Sequence, residues 1–193
     1  EIGEKTIFDY DNSLIDLNHA FANKVFKIQI KKDYSLKKPL IIYHVTNEKI
    51  KSKNINLSLN FELEQNSSLK LIDFYTDSAD KNFTNILYNF DLKKDSILKN
   101  YKIDKSTNDN LKYSFNNIEQ DTNSVSETFI LSAGSNFFKN EVNCNLKGEY
   151  SSAFVNGIFS LKENQQHEIR TIINHLVENT KSYQLIKSVL GKN

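Results

Sequence analysis

Short runs of alternating apolar and polar residues recur along this chain at a constant distance. Four of them begin at Ser68, Ser96, Ser124 and Ser152, which share one 28-residue spacing, and an apolar residue follows each serine. Alternation over several residues predicts a β-strand with one buried face. A fixed period of about 20–50 residues is typical of solenoids, in which each repeat buries its apolar side against a neighbouring repeat.

Each period also holds a second run and two sets of turn-forming residues. The second runs cover residues 83–91, 111–118 and 136–146, and turn-forming clusters occupy residues 65–67, 93–95, 121–123 and 149–151. An antiparallel meander would also place two strands in each period, but stacked coils explain better why the period is constant, because like positions must stay in register. We therefore expect Leu69, Ile97, Val125 and Ala153 to stack as an interior column, with the serines facing outward or into the turns.

The N-terminal part has a different pattern, which predicts a short helix over residues 14–23. Leu14, Leu17 and Phe21 would share one helical face, and Asn12 or Ser13 would be the N-cap. One proline and five glycines leave no linker-like stretch, so a single domain is predicted, although the polar segment 104–110 is a candidate for a protruding loop. We divide this domain into residues 1–35, with the helix or cap and a first strand, and residues 36–193, the β-helix core.

Charge and composition narrow the classes of function. Lys and Arg number 25 against 24 Asp and Glu, and the pairs Lys31-Lys32 and Lys37-Lys38 are too short for a nucleic-acid surface. No long apolar stretch or export pattern is visible, and the single cysteine fits a reducing compartment, so a cytoplasmic location without membrane contact is expected. The chain begins at Glu1 and contains no methionine, which suggests a piece of a longer protein or a processed product.

The search for catalytic and metal-binding patterns yields no positive prediction. The nucleotide-binding glycine motifs, His-Glu-x-x-His and Gly-x-Ser-x-Gly do not occur. The possible metal ligands or nucleophiles are His19, His44, Cys144, His167 and His175, and none has the short paired spacing of a zinc site. No catalytic or cofactor-binding residue is predicted, packing roles are favoured for all five, and only Cys144 and His175 are kept as metal candidates.

Several segments match a known pattern in order along the chain. Residues 16–21 read Asp-Leu-Asn-His-Ala-Phe, residues 36–46 carry Lys-Pro, an apolar run and a Thr, and residues 146–149 form Leu-x-Gly-Glu. Residues 171–175 read Thr-x-Ile-x-His, and residues 182–187 read Ser-x-Gln-x-x-Lys. Together these segments resemble the SufB/SufD family of iron–sulfur cluster assembly proteins, and Leu-Asn-x-Ala-Phe is nearest to the SufD branch.

The resemblance implies a mainly all-β fold, a right-handed parallel β-helix of about 28 residues per repeat with a short N-terminal helix. It implies a non-catalytic, SufD-like scaffold subunit of a SufBCD-type complex, with a SufB-like subunit and a SufC-like ATPase as partners and a cluster only in the full complex. The matching family positions are His175, Ser182, Gln184 and Lys187, and a structural role is favoured for each.

The family continues beyond this last motif with further coils and a helical C-terminal domain that binds the ATPase. The chain therefore resembles an N-terminal and β-helix fragment that lacks the C-terminal part. Its last coil would leave Tyr183, Leu185 and Val189 uncovered, so self-association through that end is expected.

Two other classes of protein share a β-solenoid and stay open as alternatives. A carbohydrate-active β-helix enzyme would use clustered carboxylates on one side of the coil. The repeat step taken from Asp73 and from Glu64 meets no further carboxylate, which disfavours this class. A surface-solenoid binding module is disfavoured by the missing export pattern.

Overall fold

The fold is built almost entirely from β-strands. The computed structural model describes residues 12–22, 24–46, 49, 51–77, 80–106, 109–162 and 164–191. The elements are α1 (Ser13–Phe21), β1 (Val25–Ile30), β2 (Leu40–Thr46), β3 (Asn54–Leu63), β4 (Ser68–Asp77), β5 (Phe83–Leu92), β6 (Ile97–Asp104), β7 (Leu111–Gln120), β8 (Val125–Ser132), β9 (Phe137–Leu146), β10 (Ser152–Leu161), β11 (Gln166–His175) and β12 (Lys181–Leu190).

Successive strands alternate between two parallel sheets. Sheet A has the order β1-β3-β5-β7-β9-β11, and sheet B has the order β12-β10-β8-β6-β4-β2. Each turn of the chain therefore contributes one strand to each sheet, and the result is a β-solenoid of about five turns with about 29 residues per turn. This confirms the predicted solenoid, and the predicted second runs correspond to β5, β7 and β9. The division of the domain at residue 35 stays a prediction.

The predicted interior column is wrong at two of its four positions. Leu69 pairs with Leu98, Leu98 with Ser126, and Ser126 with Ala153, so Ile97 and Val125 lie on the outer side of sheet B. The steps between these partners are unequal because the connections between strands differ in length. In a strand, a shift of one residue moves a side chain to the opposite face.

The serines that stack in the turns are Ser67, Ser96, Ser124 and Ser151, and all four are buried. The carbonyl of each accepts a hydrogen bond from the first strand residue of the following coil, as Ser67 does from Ile97 at 2.9 Å. The predicted turn clusters are confirmed.

Each of these turns contains a residue with positive φ just before its serine. The residues are Asn66, Asp95, Asn123 and Tyr150, with φ values of 56°, 60°, 58° and 63°. Asn and Asp tolerate this left-handed conformation better than most residues, which explains their place in three of the four turns. The Asn123 amide also donates to the Asp95 carboxylate of the preceding turn at 2.6 Å. Turn chemistry and coil stacking therefore reinforce one another.

The predicted helix is confirmed as α1, which ends at Phe21; residue 23, the last of the predicted range, lies outside the described residues. The buried residues of α1 differ from the predicted face. Asn12 is the N-cap, and its side chain accepts a hydrogen bond from the Leu14 N–H. Ile15 and Asn18 are the buried residues, whereas Phe21 is 62% exposed. A hydrogen bond explains this orientation of the helix. The Asn18 amide donates to the Leu57 carbonyl at 2.9 Å and so holds the helix against the outer side of sheet A.

The segment 104–110 does not protrude where the structure describes it. Asp104, Ser106 and Asn110 are buried. The Asp104 carboxylate accepts hydrogen bonds from the Ser106 N–H and hydroxyl, and this draws the segment inward. The expectation of a protruding loop is therefore wrong for these residues.

We expect replacement of Gly148 by alanine to disrupt coil stacking. A Cβ atom at Gly148 would overlap the Thr122 backbone nitrogen, and backbone cannot move aside at low cost. The Gly148→Ala variant should lose about 2–4 kcal/mol of unfolding free energy in urea denaturation. Gly191→Ala is the control, since its nearest neighbour would be the Leu161 carbonyl at 3.6 Å, and a loss equal to that of Gly148→Ala would contradict the prediction.

Candidate functional site

The motif residues near the end of the described chain form hydrogen-bonded pairs across the last coil. His175 ends β11, where its Nδ1 lies 2.6 Å from the Thr180 hydroxyl and its Nε2 lies 3.0 Å from the Ser182 hydroxyl. The Thr171 hydroxyl donates to the Gln184 amide oxygen at 2.5 Å. These side chains point between the sheets and connect β11 to the turn and strand that follow it. Both ring nitrogens of His175 are thus occupied by hydroxyl groups.

Lys187 and Cys144 do not belong to this group. Lys187 pairs in register with Ile158, and its side chain is on the outward, exposed side of β12. Cys144 is completely buried in the core between the sheets. Burial raises the pKa of the Cys144 thiol to about 12, although a hydrogen bond from Ser126 opposes this rise. The thiol therefore stays protonated, and a protonated thiol is a poor nucleophile and a poor metal ligand.

Two further histidines from the sequence analysis have separate positions. His167 lies on β11, where its Nδ1 is 2.8 Å from the Ser132 hydroxyl and its Nε2 is 2.6 Å from the Ser135 carbonyl oxygen. His19 lies in the last turn of α1 and is half-buried. The fold therefore does not gather these two histidines with His175.

A second group of polar residues lies inside the solenoid, and the sequence analysis missed it. We call His44, Asp73, Lys102, Asp104 and Lys112 the interior charge cluster. The Asp73 carboxylate lies 2.7 Å from His44 Nε2 and 3.0 Å from Lys102 Nζ, and the Asp104 carboxylate lies 2.9 Å from Lys112 Nζ. The side chains of the two lysines and two aspartates are at most 2% exposed, so two ion pairs are sealed between the sheets.

Two tyrosines, Tyr75 and Tyr88, lie among the charged groups of the interior charge cluster, and Lys112 Nζ lies 5.1 Å from the centre of the Tyr75 ring. The Tyr75 and Tyr88 hydroxyls are 2.9 Å apart, and the Tyr88 hydroxyl is also 3.1 Å from His44 Nε2. Lys102 Nζ lies 3.3 Å from the centre of the Tyr88 ring, and the His44 and Tyr75 rings stack at 4.5 Å. The ammonium group of Lys102 is therefore balanced by both a carboxylate and an aromatic face.

Burial and ion pairing act in opposite directions on these groups. Burial alone would raise the pKa of Asp73, but the Lys102 ammonium and the His44 hydrogen bond outweigh it and hold that pKa below its ordinary value. Burial lowers the pKa of Lys102, and Asp73 opposes this only in part. Burial would likewise raise the pKa of Asp104, but Lys112 and two serines outweigh it and lower that pKa. The arrangement keeps both carboxylates ionised while the coils seal them from solvent.

A step of 29 residues would have found three of the five members of this cluster. Asp73 lies 29 residues after His44, and Lys102 lies 29 residues after Asp73. The 28-residue step from Asp73 instead reaches Tyr101 on the outer face. His44 therefore does more than pack on its strand, because its partners come from neighbouring coils of sheet B and from Tyr88 in sheet A.

A column of carboxylates runs along the outer side of sheet A, although the steps from Asp73 and Glu64 did not reach it. Glu62, Asp91 and Glu119 are paired in register on β3, β5 and β7. Each is matched by a lysine: Lys27 lies 3.2 Å from Glu62, Lys93 lies 2.7 Å from Asp91, and Lys147 lies 2.6 Å from Glu119. An adjacent column of asparagines, Asn60, Asn89 and Asn117, follows the same strands.

Two further features of the described residues bear on the chemistry of this chain. No group of three or more His, Cys, Asp or Glu side chains in this part of the chain could hold a metal ion. None of the helices found there is long and apolar enough to cross a membrane.

The chain was compared with models of known protein families. A family model described as SUF system FeS cluster assembly, SufBD core domain, matches residues 44–193. The matched part begins within β2 and includes the strands β3 to β12, the interior charge cluster and the motif pairs of the last coil. A search of curated proteins finds no significant match.

We expect the Asp73–Lys102 pair to be strongly coupled. Asp73→Asn should lower the unfolding free energy by about 3–5 kcal/mol, because it leaves the Lys102 ammonium buried without its counter-charge. The double variant Asp73→Asn, Lys102→Met should be more stable than Asp73→Asn alone, as measured by urea denaturation. If the double variant lost as much unfolding free energy as the two single variants together, the two residues would not be coupled, which would contradict the prediction.

We expect Cys144 to be unreactive in the folded protein. With its pKa raised to about 12 and its sulfur buried, an aromatic disulfide reagent at pH 8 should react more than about a hundredfold more slowly than with the urea-unfolded chain. The unfolded chain is the matched control, since it contains the same single thiol. Equal rates in the two states would show that the thiol is accessible.

Proposed function

Because the chain belongs to the SufBD core-domain family of the SUF iron–sulfur cluster assembly system, we propose that it acts as a SufD-like, non-catalytic scaffold subunit of a SufBCD-type complex. The observation that carries this proposal is the use of the family-motif residues. These residues form hydrogen bonds with one another or with a turn residue, and they connect β11 to β12. They are Thr171, His175, Ser182 and Gln184. These hydrogen bonds support a structural role for the motif.

The SufD-like assignment draws further support from the N-terminal motif. Its Leu-Asn-x-Ala-Phe sequence lies in α1, where the Asn18 amide donates to the Leu57 and Asn85 carbonyls of sheet A. The Asn85 amide in turn donates to the Leu14 carbonyl at 2.7 Å. The motif asparagine thus fastens the helix to the solenoid, which gives a physical reason for its place in the pattern.

Iron or a cluster, in this proposal, contacts the chain only within the complete complex. His175 has hydroxyl partners on both ring nitrogens, and Cys144 is a buried, protonated thiol. We propose that a SufB-like subunit supplies the cluster ligands, that a SufC-like ATPase is the second partner of the full-length protein, and that the complex is cytoplasmic.

The carbohydrate-active alternative is less well supported. Its signature would be a carboxylate column with groups available for acid–base chemistry. Glu62, Asp91 and Glu119 form such a column, but each carboxylate is neutralised by a lysine within 3.2 Å. This pattern fits a stabilising surface ladder better than a catalytic pair.

Anaerobic reconstitution tests the proposal. The chain alone, incubated with ferrous iron and sulfide, should hold no stoichiometric iron and no visible charge-transfer absorbance. Co-expression of the full-length protein with a SufB-like and a SufC-like subunit should yield a complex that contains it and binds a cluster. His175→Ala should lower the melting temperature at least as much as the matched variant Ser182→Ala, because both remove the His175–Ser182 hydrogen bond and His175→Ala also removes the one to Thr180. A cluster on the isolated chain that is lost in His175→Ala but kept in Ser182→Ala would make His175 a ligand and overturn the proposal.

A further inference from the structure

The outer side of sheet B contains a pocket that spans the strands β6, β8 and β10. Its volume is about 330 Å³, which lies within the range of small-molecule binding sites. Three aromatic residues, a carboxylate, an amide and a threonine line it: Tyr101, Phe129, Phe154, Glu127, Asn156 and Thr128. Apolar walls with a few polar groups are the usual lining of a ligand site.

The strand register builds this pocket from two neighbouring rows of side chains. Tyr101, Phe129 and Asn156 are in register in one row, and Glu127 and Phe154 are in register in the other. All five residues are half-buried on the outer side of the sheet. The ring centres of Tyr101 and Phe129 lie 6.5 Å apart, and the rings are inclined by 50° to one another. The two rings therefore form an angled aromatic wall.

The polar groups of the pocket are available to a ligand. Within the part of the chain that the structure describes, the Asn156 amide and the Tyr101 hydroxyl have no hydrogen-bond partner. The Glu127 carboxylate lies 3.0 Å from Lys99 Nζ, and both of these side chains are 41% exposed. The pocket thus offers a carboxylate that accepts hydrogen bonds, together with an amide and a hydroxyl that both donate and accept.

The charges around the pocket disfavour an ionic ligand. Lys99 neutralises Glu127, and Lys70 is in register with Lys99 on the next strand. A cation drawn to the aromatic faces would be repelled by these two ammonium groups. An anion would meet the Glu127 carboxylate in the lining of the pocket. The surroundings therefore favour a ligand without net charge.

The mixture of rings and polar groups indicates which uncharged ligand fits. A pyranose ring has C–H groups that pack on an aromatic face, and its hydroxyl groups both donate and accept hydrogen bonds. Neighbouring hydroxyls can donate to the Glu127 carboxylate, and others can pair with the Asn156 amide. A purely apolar ligand would instead cover these two polar groups without giving them partners, which is costly.

A larger depression on the outer side of sheet A is less suited to this ligand. It has a volume of about 810 Å³ and follows the carboxylate and asparagine columns. Its polar groups already pair with one another, as Glu119 does with Lys147 at 2.6 Å and with Asn145 at 2.7 Å. The two phenylalanines that line it, Phe61 and Phe90, are buried in the core. It therefore has no exposed aromatic face on which a sugar ring could pack.

We propose that the pocket of sheet B binds one uncharged pyranose unit of a saccharide, with the ring on Phe129 and its hydroxyls on Glu127 and Asn156. The pocket binds this unit and does not cleave it, because glycoside hydrolysis usually requires two carboxyl groups and Glu127 is the one carboxylate among the six described lining residues. This inference does not rest on the proposed function, and the tests below leave that function intact whatever their result.

An NMR titration of the chain tests the site and the class of ligand. The probes are the methyl pyranosides of glucose, galactose and mannose. At least one should bind with a dissociation constant of about 1 mM, the affinity expected for an efficient ligand of this size. The backbone amide shifts should change most in residues 99–101, 127–129 and 154–156. No binding of any of the three at large excess, or shift changes centred elsewhere, would overturn the proposal.

Two control ligands test why the pyranoside binds. Glycerol has hydroxyl groups without a ring face, and cyclohexanol has a ring with a single hydroxyl group. Each should bind at least about tenfold more weakly than the best pyranoside, because each satisfies only one kind of lining group. Equal affinity for cyclohexanol would assign the pocket to apolar ligands in general, and equal affinity for glycerol would remove the role of the aromatic wall. Either result would overturn the proposal.

Matched phenylalanine variants test the position of the sugar ring. Phe129 and Phe74 are both half-buried on the outer side of sheet B, but only Phe129 lines the pocket. Phe129→Ala should weaken binding about tenfold, whereas Phe74→Ala should change it less than about twofold. Asn156→Ala should weaken binding about fivefold through lost hydrogen bonds, and it decides the test if Phe129→Ala does not fold. Equal effects of the two phenylalanine variants, or unchanged binding in Asn156→Ala, would overturn the proposed geometry.

Discussion

Parallel pairing between successive coils governs every other feature of this solenoid. Every strand from β3 to β10 pairs in parallel with the strand one turn before it and the strand one turn after it. Because side chains alternate across a strand, this pairing decides for each residue whether it lies inside the solenoid or on a surface. It also stacks like positions, so that a polar residue inside one coil must be satisfied by its neighbours above, below and on the facing sheet. The turns preserve the pairing through residues with positive φ and through their buried serines.

The interior charge cluster shows what this pairing imposes. Asp73 and Lys102 are paired in register on adjacent strands of sheet B, and both side chains point between the sheets. Both charged groups are therefore buried in the core. A buried ion pair of this kind contributes little net stability, but it is costly to break. It therefore penalises any pairing of β4 with β6 that is out of register, since a shift of one residue would move one charge outward and leave the other alone. We interpret the cluster as a device that specifies register in a stack of similar coils.

The same stacking gives the two outer faces different properties. On sheet A the stacking aligns asparagines and carboxylates in columns, with lysines paired to the carboxylates. Helix α1 covers the apolar residues Leu87 and Phe115 of this sheet through Ile15. On sheet B the stacking places an aromatic residue on the outer side of every strand, in rows that also contain Lys70, Lys99, Glu127 and Lys187. Carboxylates on the outer side of sheet A are thus paired with lysines of the same chain, whereas the outer side of sheet B leaves Tyr43 and Tyr183 more than half exposed.

Sequence patterns alone were enough to predict the solenoid, the strands, the turn clusters and the capped helix, because these depend on local alternation and on residues such as Asn66 and Asn12 that favour particular backbone conformations. The family motifs were also visible there. The register of the strands was not visible in the sequence. The register places Ile97 outside and Leu98 inside, and it also decides the partners of Asp73 and the burial of Cys144. Connections of unequal length shift the pairing by single residues. Such a shift is invisible in a periodic sequence, yet it reverses the face of every side chain that follows it.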